Sequence, residues 1–145
     1  MARPLPTDTE LTAKRPDIES FLTDPNTTLQ TFAGEALGYL KRDLENKRGV
    51  TWSRVFVGSA YLDNSEGTGR NESNLVHCLI LRTLALILEA YGIKNTDGQW
   101  MDLANYYRSE YDELLSVARL DIDIDDSGTI SEDEERRSGQ TFLRK

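Results

Sequence analysis

The chain has 145 residues and a formal net charge of −8. That length is enough for one domain with a real core. Eight carboxylates fall between Asp121 and Glu135, and the other seventeen acidic residues equal the seventeen Lys and Arg, so the body is near neutral and the acidic excess lies in one short piece. No basic stripe points to direct nucleic-acid binding. The single cysteine, Cys78, excludes an internal disulfide and fits a reducing compartment.

Residues 1–15 begin MARPLPTDTE, with Pro4, Pro6 and small polar residues and no apolar h-region of a secretory signal. They read as a flexible N-terminal arm, either disordered or laid on a neighbouring subunit. Pro16 to Leu22 predicts a short helix with Ile18, Phe21 and Leu22 on one face, stopped by Asp24-Pro25. Thr27 or Thr28 then caps a second helix. Its apolar positions Leu29, Phe32, Ala33, Ala36, Leu37, Leu40 and Leu44 follow the i, i+3, i+4, i+7 template. Gly34 and Gly38 each cost about 1 kcal/mol of helix propensity relative to Ala, and their spacing predicts close approach by another helix. Basic residues in the last turns and Gly49 mark the stop.

Residues 50–72 change character. Val50, Trp52, Val55 and Val57 favour extended backbone, and Asp63 to Gly69 is turn material, so a long, partly extended loop is expected, suited to contact with a partner. Gly67-Thr68-Gly69 lacks the lysine and the helix context of a phosphate-binding loop.

Leu75 to Tyr91, LVHCLILRTLALILEAY, is apolar on nearly every side, and Gly92 stands where a left-handed C-cap is expected. A helix apolar all round is a membrane span or the middle of a bundle. A span needs about 20 apolar residues with few charges, and this run is shorter and holds Arg82 and Glu89. It is therefore expected to be the buried central helix of an all-α small bundle. A turn over Lys94 to Gln99 leads to a helix from about Gln99 to Leu120, antiparallel to the central one. Trp100, Leu103, Ala104, Tyr107, Tyr111, Leu114, Leu115 and Ala118 form one face, read as core, with Tyr106 off it.

The acidic stretch from Asp123 to Glu134 carries the sharpest chemical signal. Calcium takes six to eight oxygen ligands, and a short loop supplies them when side chains alternate inward about a sharp turn. Asp123 and Asp125 occupy the first and third positions, Ser127 the fifth, and Gly128 the sixth, where the turn needs positive φ. Thr129 would give its carbonyl, Ser131 would act through water, and Glu134 would bind with both oxygens. Ile130 anchors the loop to the core. This is the EF-hand loop pattern, predicted to follow a long helix. A single loop, two methionines and a short exit helix (131–137) point to a structural calcium site rather than a sensor.

Catalysis is not expected. His77 and Cys78 are sequence neighbours, which point about 100° apart on a helix and do not make a nucleophile–base pair. His77 is read as packed or hydrogen-bonded, and Cys78 as a small buried hydrophobe.

A buried helix, an Asp-containing turn, the run W-x-x-L-A-x-x-Y-x-x-x-Y (Trp100, Leu103, Ala104, Tyr107, Tyr111), the loop D-x-D-x-S-G-x-I-x-x-x-E and a tail ending Leu143-Arg144-Lys145 succeed one another over residues 75–145. This order resembles the head–tail connector, or adaptor, proteins of tailed bacteriophages. The resemblance implies a virion structural protein made in the bacterial host cytoplasm and placed at the head–tail junction. It would dock on the portal protein as a twelve-fold ring of itself, meet tail or stopper and terminator proteins, and let DNA pass through its channel. No membrane is implied. The corresponding division is an arm over 1–15, a helical connector domain over 16–120, and an EF-hand-like loop with a tail over 121–145. The alternative is a calcium-binding EF-hand or dockerin-like protein-interaction module.

Overall fold

The structure is a computed structural model, and it describes residues 5–57, 61, 70–94 and 98–123, with Arg70 described by its backbone alone. All regular structure among these residues is helical, and four helices pack together, as the all-α reading expects.

From Leu5 onward the stretch expected to be an arm is folded, and residues 1–4 lie outside the described residues. Asp8–Lys14 forms α1, started by a capping box in which Glu10 N–H donates to Thr7 Oγ1 (3.2 Å) and Thr7 N–H donates to Glu10 Oε1 (2.8 Å). The proline-rich composition hid this Thr-x-x-Glu signal. Leu11 is completely buried, and Gln30 Nε2 donates to Pro6 O (2.9 Å) and Asp8 Oδ1 (2.8 Å), so this segment is tied to the next helix. A 3-10 turn over Ile18–Phe21 comes next. Its Phe21 ring meets Tyr91 and Trp100 edge-on, each at 4.9 Å, where one of the two longest helices ends and the other begins.

Helix α2 spans Leu29–Asp43 behind a Thr28 cap, which resolves the choice between the two threonines. It buries Leu29, Ala33, Ala36 and Leu40. The chain then widens into a π-type turn, Leu44–Arg48, closed by Gly49 at φ 66°. Both Leu44 and Arg48 face inward from this turn.

Helix α3 runs from Arg70 to Lys94, five residues earlier than expected and past Gly92. By length and composition it is apolar enough to cross a membrane, yet 72% of its most apolar window is buried within the protein. Helix α4, Gly98–Val117, is its main neighbour and α2 the next. Gly92 lies near Met101, while Asn74 bonds Arg119 beyond the far end of α4, so α3 and α4 are antiparallel. Ala104, Tyr107, Tyr111 and Leu115 carry the buried face of α4, and Tyr106 is exposed, both as predicted. The tip of the loop over 63–69 and the end of the turn after Lys94, at 95–97, lie outside the described residues.

The glycines reverse their predicted roles. Among the described residues a Cβ on Gly34 or Gly38 would meet nothing within 4 Å, so no described helix approaches there; a Cβ on Gly92 would stand 2.8 Å from Met101 Sδ. Gly92 is the close-approach residue of the bundle rather than a cap. Gly34→Ala and Gly38→Ala should therefore each raise stability by about 0.5–1 kcal/mol in urea unfolding. Gly92→Val should lower it by about 1–3 kcal/mol through overpacking.

Candidate functional site

The acidic segment is fastened to the body at its first residues. Helix α4 ends at Val117, and Ala118 N–H donates to Leu114 O at 2.8 Å. The last carbonyls of a helix need outside donors. Arg48, aimed inward by its π-type turn, supplies two: Nη1 donates to Leu115 O, and Nη2 to Ala118 O at 2.8 Å. Asn74 Nδ2 then holds Arg119 O at 2.7 Å.

Asn71 completes the clamp. Its Nδ2 donates to Asp121 O (2.6 Å) and Val55 O (2.8 Å), and its Oδ1 accepts from Asp121 N–H (2.7 Å). Asp123 N–H reaches Arg54 O at 2.8 Å. Residues 120–123 thus run beside residues 54–55 and the first turn of α3. Leu120, Asp121, Ile122 and Asp123 are all buried. Asn71, fully buried, joins three parts of the chain far apart in sequence.

Of the predicted calcium ligands, the structure places Asp123 at the buried end of this clamp, 1% exposed. Asp125, Ser127, Thr129, Ser131 and Glu134 lie outside the described residues, as do Ile130, the predicted exit helix and the tail. Among the described residues, no group of three or more His, Cys, Asp and Glu side chains could hold a metal ion. The predicted entry is corrected: α4 stops at Val117 and does not run into the loop, so Asp123 is reached through an extended buried stretch instead of a helical turn. Hydrogen bonds from Arg48, Asn74 and Asn71 to carbonyls of residues 115–121 replace the helical ladder there.

His77 is exposed, in contrast to its packed reading. It lines a cavity of about 210 Å³ together with Lys14, Leu81, Glu110, Glu113 and Leu114. Partial burial, aided by the charge of Lys14, lowers its pKa below the ordinary imidazole value. Cys78 is fully buried, as expected, and burial pushes its thiol up to about 12 despite the opposing pull of Arg48. Neither supplies an activated nucleophile at neutral pH.

Sequence reading misses Asn71, Asn74 and Arg48. It puts Asn71 in the loop and takes Arg48 for part of an ordinary basic helix end. The visible signal is Asn-x-x-Asn at the head of an apolar run, two amides on one helical side.

No family model, curated protein or solved structure matches this chain. The clamp and the loop pattern therefore carry the functional argument by themselves.

Asn71→Ala should remove three buried hydrogen bonds to the peptide groups of Asp121 and Val55 and cost about 3 kcal/mol or more in denaturant unfolding. Hydrogen exchange at the Asp121 amide should accelerate in the same variant. For His77, a folded pKa below the unfolded one means that the unfolded chain binds more protons. Stability from this group is full above about pH 6.5 and falls as pH drops through that value toward the folded pKa. Wild type should thus lose melting temperature relative to His77→Gln between pH 7.5 and 5.5, in a paired thermal scan.

Proposed function

We propose that this chain is a structural protein of the neck of a tailed bacteriophage, a connector subunit that assembles on the portal as a ring and joins the capsid to the tail. The observation that carries the reading is the clamp. A helical body holds the root of its acidic segment through side chains from α3 and from the turn after α2. That arrangement suits an assembly part, because the first residues of the charged segment are fixed on the body. The order of motifs over residues 75–145 supports the connector family in particular.

In this reading the acidic segment binds a structural calcium ion through Asp123, Asp125, Ser127, Thr129, Ser131 and Glu134. The ion would order the segment for contacts with tail or stopper and terminator proteins. Carboxylates outside the ligand set, such as Asp126, would keep the channel wall from adhering to passing DNA. The chain would act without catalysis, at the head–tail junction and away from any membrane.

Two measurements test the reading. Purified particles of a phage encoding this chain should contain it by mass spectrometry, and antibody label should appear at the neck by electron microscopy. Absence of the protein from the particles would end the connector assignment. Calcium should stabilise the wild type in a saturable way, by about 2.7 kcal/mol at a hundredfold excess over Kd, and raise its melting temperature without exposing dye-binding surface. Glu134→Gln should abolish most of that gain. A chain absent from particles that exposes apolar surface on binding calcium would instead be a calcium-dependent interaction module.

A further inference from the structure

Helix α4 leaves one line of its surface uncovered. Two of the exposed large apolar residues lie on it, Tyr106 at 56% and Val117 at 68%. They stand about three turns apart and within about 20° of the same side of the helix. Two open cavities follow this line where α4 faces the end of α1. The one of about 210 Å³ is bordered by Lys14, His77, Glu113 and Val117. The other, of about 500 Å³, is bordered by Arg15, Asp102, Leu103 and Tyr106. Tyr106 Oη donates to Glu110 Oε1 at 2.9 Å, and Glu110 lines the first cavity, so the two meet there and form one groove.

The groove carries an excess of acid. Asp102, Glu110 and Glu113 line it against two bases, and one of these, Arg15, is already paired with Asp17 at 3.1 Å. His77 adds little charge at neutral pH, because its pKa lies below the ordinary imidazole value. Along the same line Tyr106 and Val117, with the half-buried Leu103 and Leu114, offer apolar surface. An occupant that suits both properties is basic and carries apolar side chains.

We propose that residues 136–145 of this same chain occupy the groove. They read RRSGQTFLRK, with four bases and no acid in a chain of net charge −8, and they lie outside the described residues. Arg136, Arg137, Arg144 and Lys145 complement the carboxylates, and Phe142 and Leu143 complement the apolar line. The acidic stretch before them attracts the same bases, but Phe142 and Leu143 also require an apolar surface, and the groove supplies both. The course of the chain puts the groove within reach. Helix α4 ends at Val117, at one mouth of the groove, and Asn74, which holds Arg119 O, stands one turn before His77 on α3. Residues 124–135 then give up to about 40 Å of chain before Arg136. The line from Val117 to Tyr106 is about 17 Å long. Once occupied, the groove no longer presents Tyr106 and Val117 to water. The contact is made within one chain and is independent of the connector reading.

Disulfide trapping in the full chain tests this. The native Cys78 is buried and does not compete. Ser109 is exposed beside the groove line, and Asn46 is exposed on the turn after α2. In dilute protein, Ser109→Cys with Thr141→Cys should close an intrachain disulfide. Its effective concentration in a thiol–disulfide buffer should exceed that of Asn46→Cys with Thr141→Cys by about 10-fold or more. In about 1 M salt that advantage should fall to about 3-fold or less, because the contact depends on exposed charges. Adding Asp102→Asn, Glu110→Gln and Glu113→Gln should lower it in the same way. Equal yields from the two cysteine pairs overturn the proposal. So does an advantage that survives the salt or the folded acid variant. Disulfide-linked dimers in place of the intrachain product would put a second copy in the groove and overturn the contact within one chain. The salt comparison leaves the groove residues unchanged, so it decides the matter even where the acid variant fails to fold.

Discussion

A helix with apolar residues on every side has no face to leave in water. Burial of a large aliphatic side chain stabilises by about 1.5–3 kcal/mol, so α3 draws the rest of the chain around it. Helices α4 and α2 cover the greater part. Neither reaches all the way round, and the remaining cover comes from segments that would otherwise be tails. Leu11 of α1 and Ile18 of the 3-10 turn join the core completely buried before α2, and Leu120, completely buried, and Ile122, 5% exposed, join it after α4. The stretch expected to be an arm and the stretch expected to be a continuing helix are both recruited by the same demand.

Recruiting the C-terminal stretch creates a second requirement. An extended segment brought into the interior carries peptide groups that need partners. Among the described residues no strand lies beside 118–123 to supply them, so side chains do, joined by Arg54 O, which takes the Asp123 N–H. Asn71 is suited to this because its amide is a copy of a peptide group. It donates to and accepts from Asp121 at once, as a neighbouring residue would in an antiparallel pair, and its second N–H serves Val55. Arg48 works differently, carrying two of its donors to the end of α4 from a turn widened enough to face inward. Polar residues on and beside the central helix are thus placed where the cover changes from helix to extended chain.

The sequence made the helices legible wherever one residue type dominated its own neighbourhood. The apolar spacing of α2, the aromatic face of α4 and the Gly49 stop depend on local chemistry and appear where the pattern put them, and the cap left open between Thr27 and Thr28 falls on Thr28. Tertiary packing decided the rest. Gly34, Gly38 and Gly92 look alike in sequence, and only Gly92 has a neighbour close enough to require the missing side chain. Helix α3 begins at Arg70 although Asn71, Glu72 and Asn74 are poor members of an apolar run, because Asn71 and Asn74 serve the adjoining segments. Of the calcium-loop pattern, the described residues include the first ligand alone, and it is reached by a path that periodicity does not anticipate.

The clamp also has an electrostatic cost to meet. Asp121 and Asp123 are buried at 3% and 1% exposure, at the head of a stretch with eight carboxylates between Asp121 and Glu135. A carboxylate taken out of water costs free energy, so the bonds that Asn71 makes to Asp121 and the Asp123 N–H bond to Arg54 O must hold this stretch in place against that cost. The apolar neighbours Leu120 and Ile122 work in the same direction, because their burial requires the residues between and beside them to enter the interior as well. The position of the two acids is thus set by the backbone clamp and by the demand of α3 for cover, not by a preference of the acids themselves.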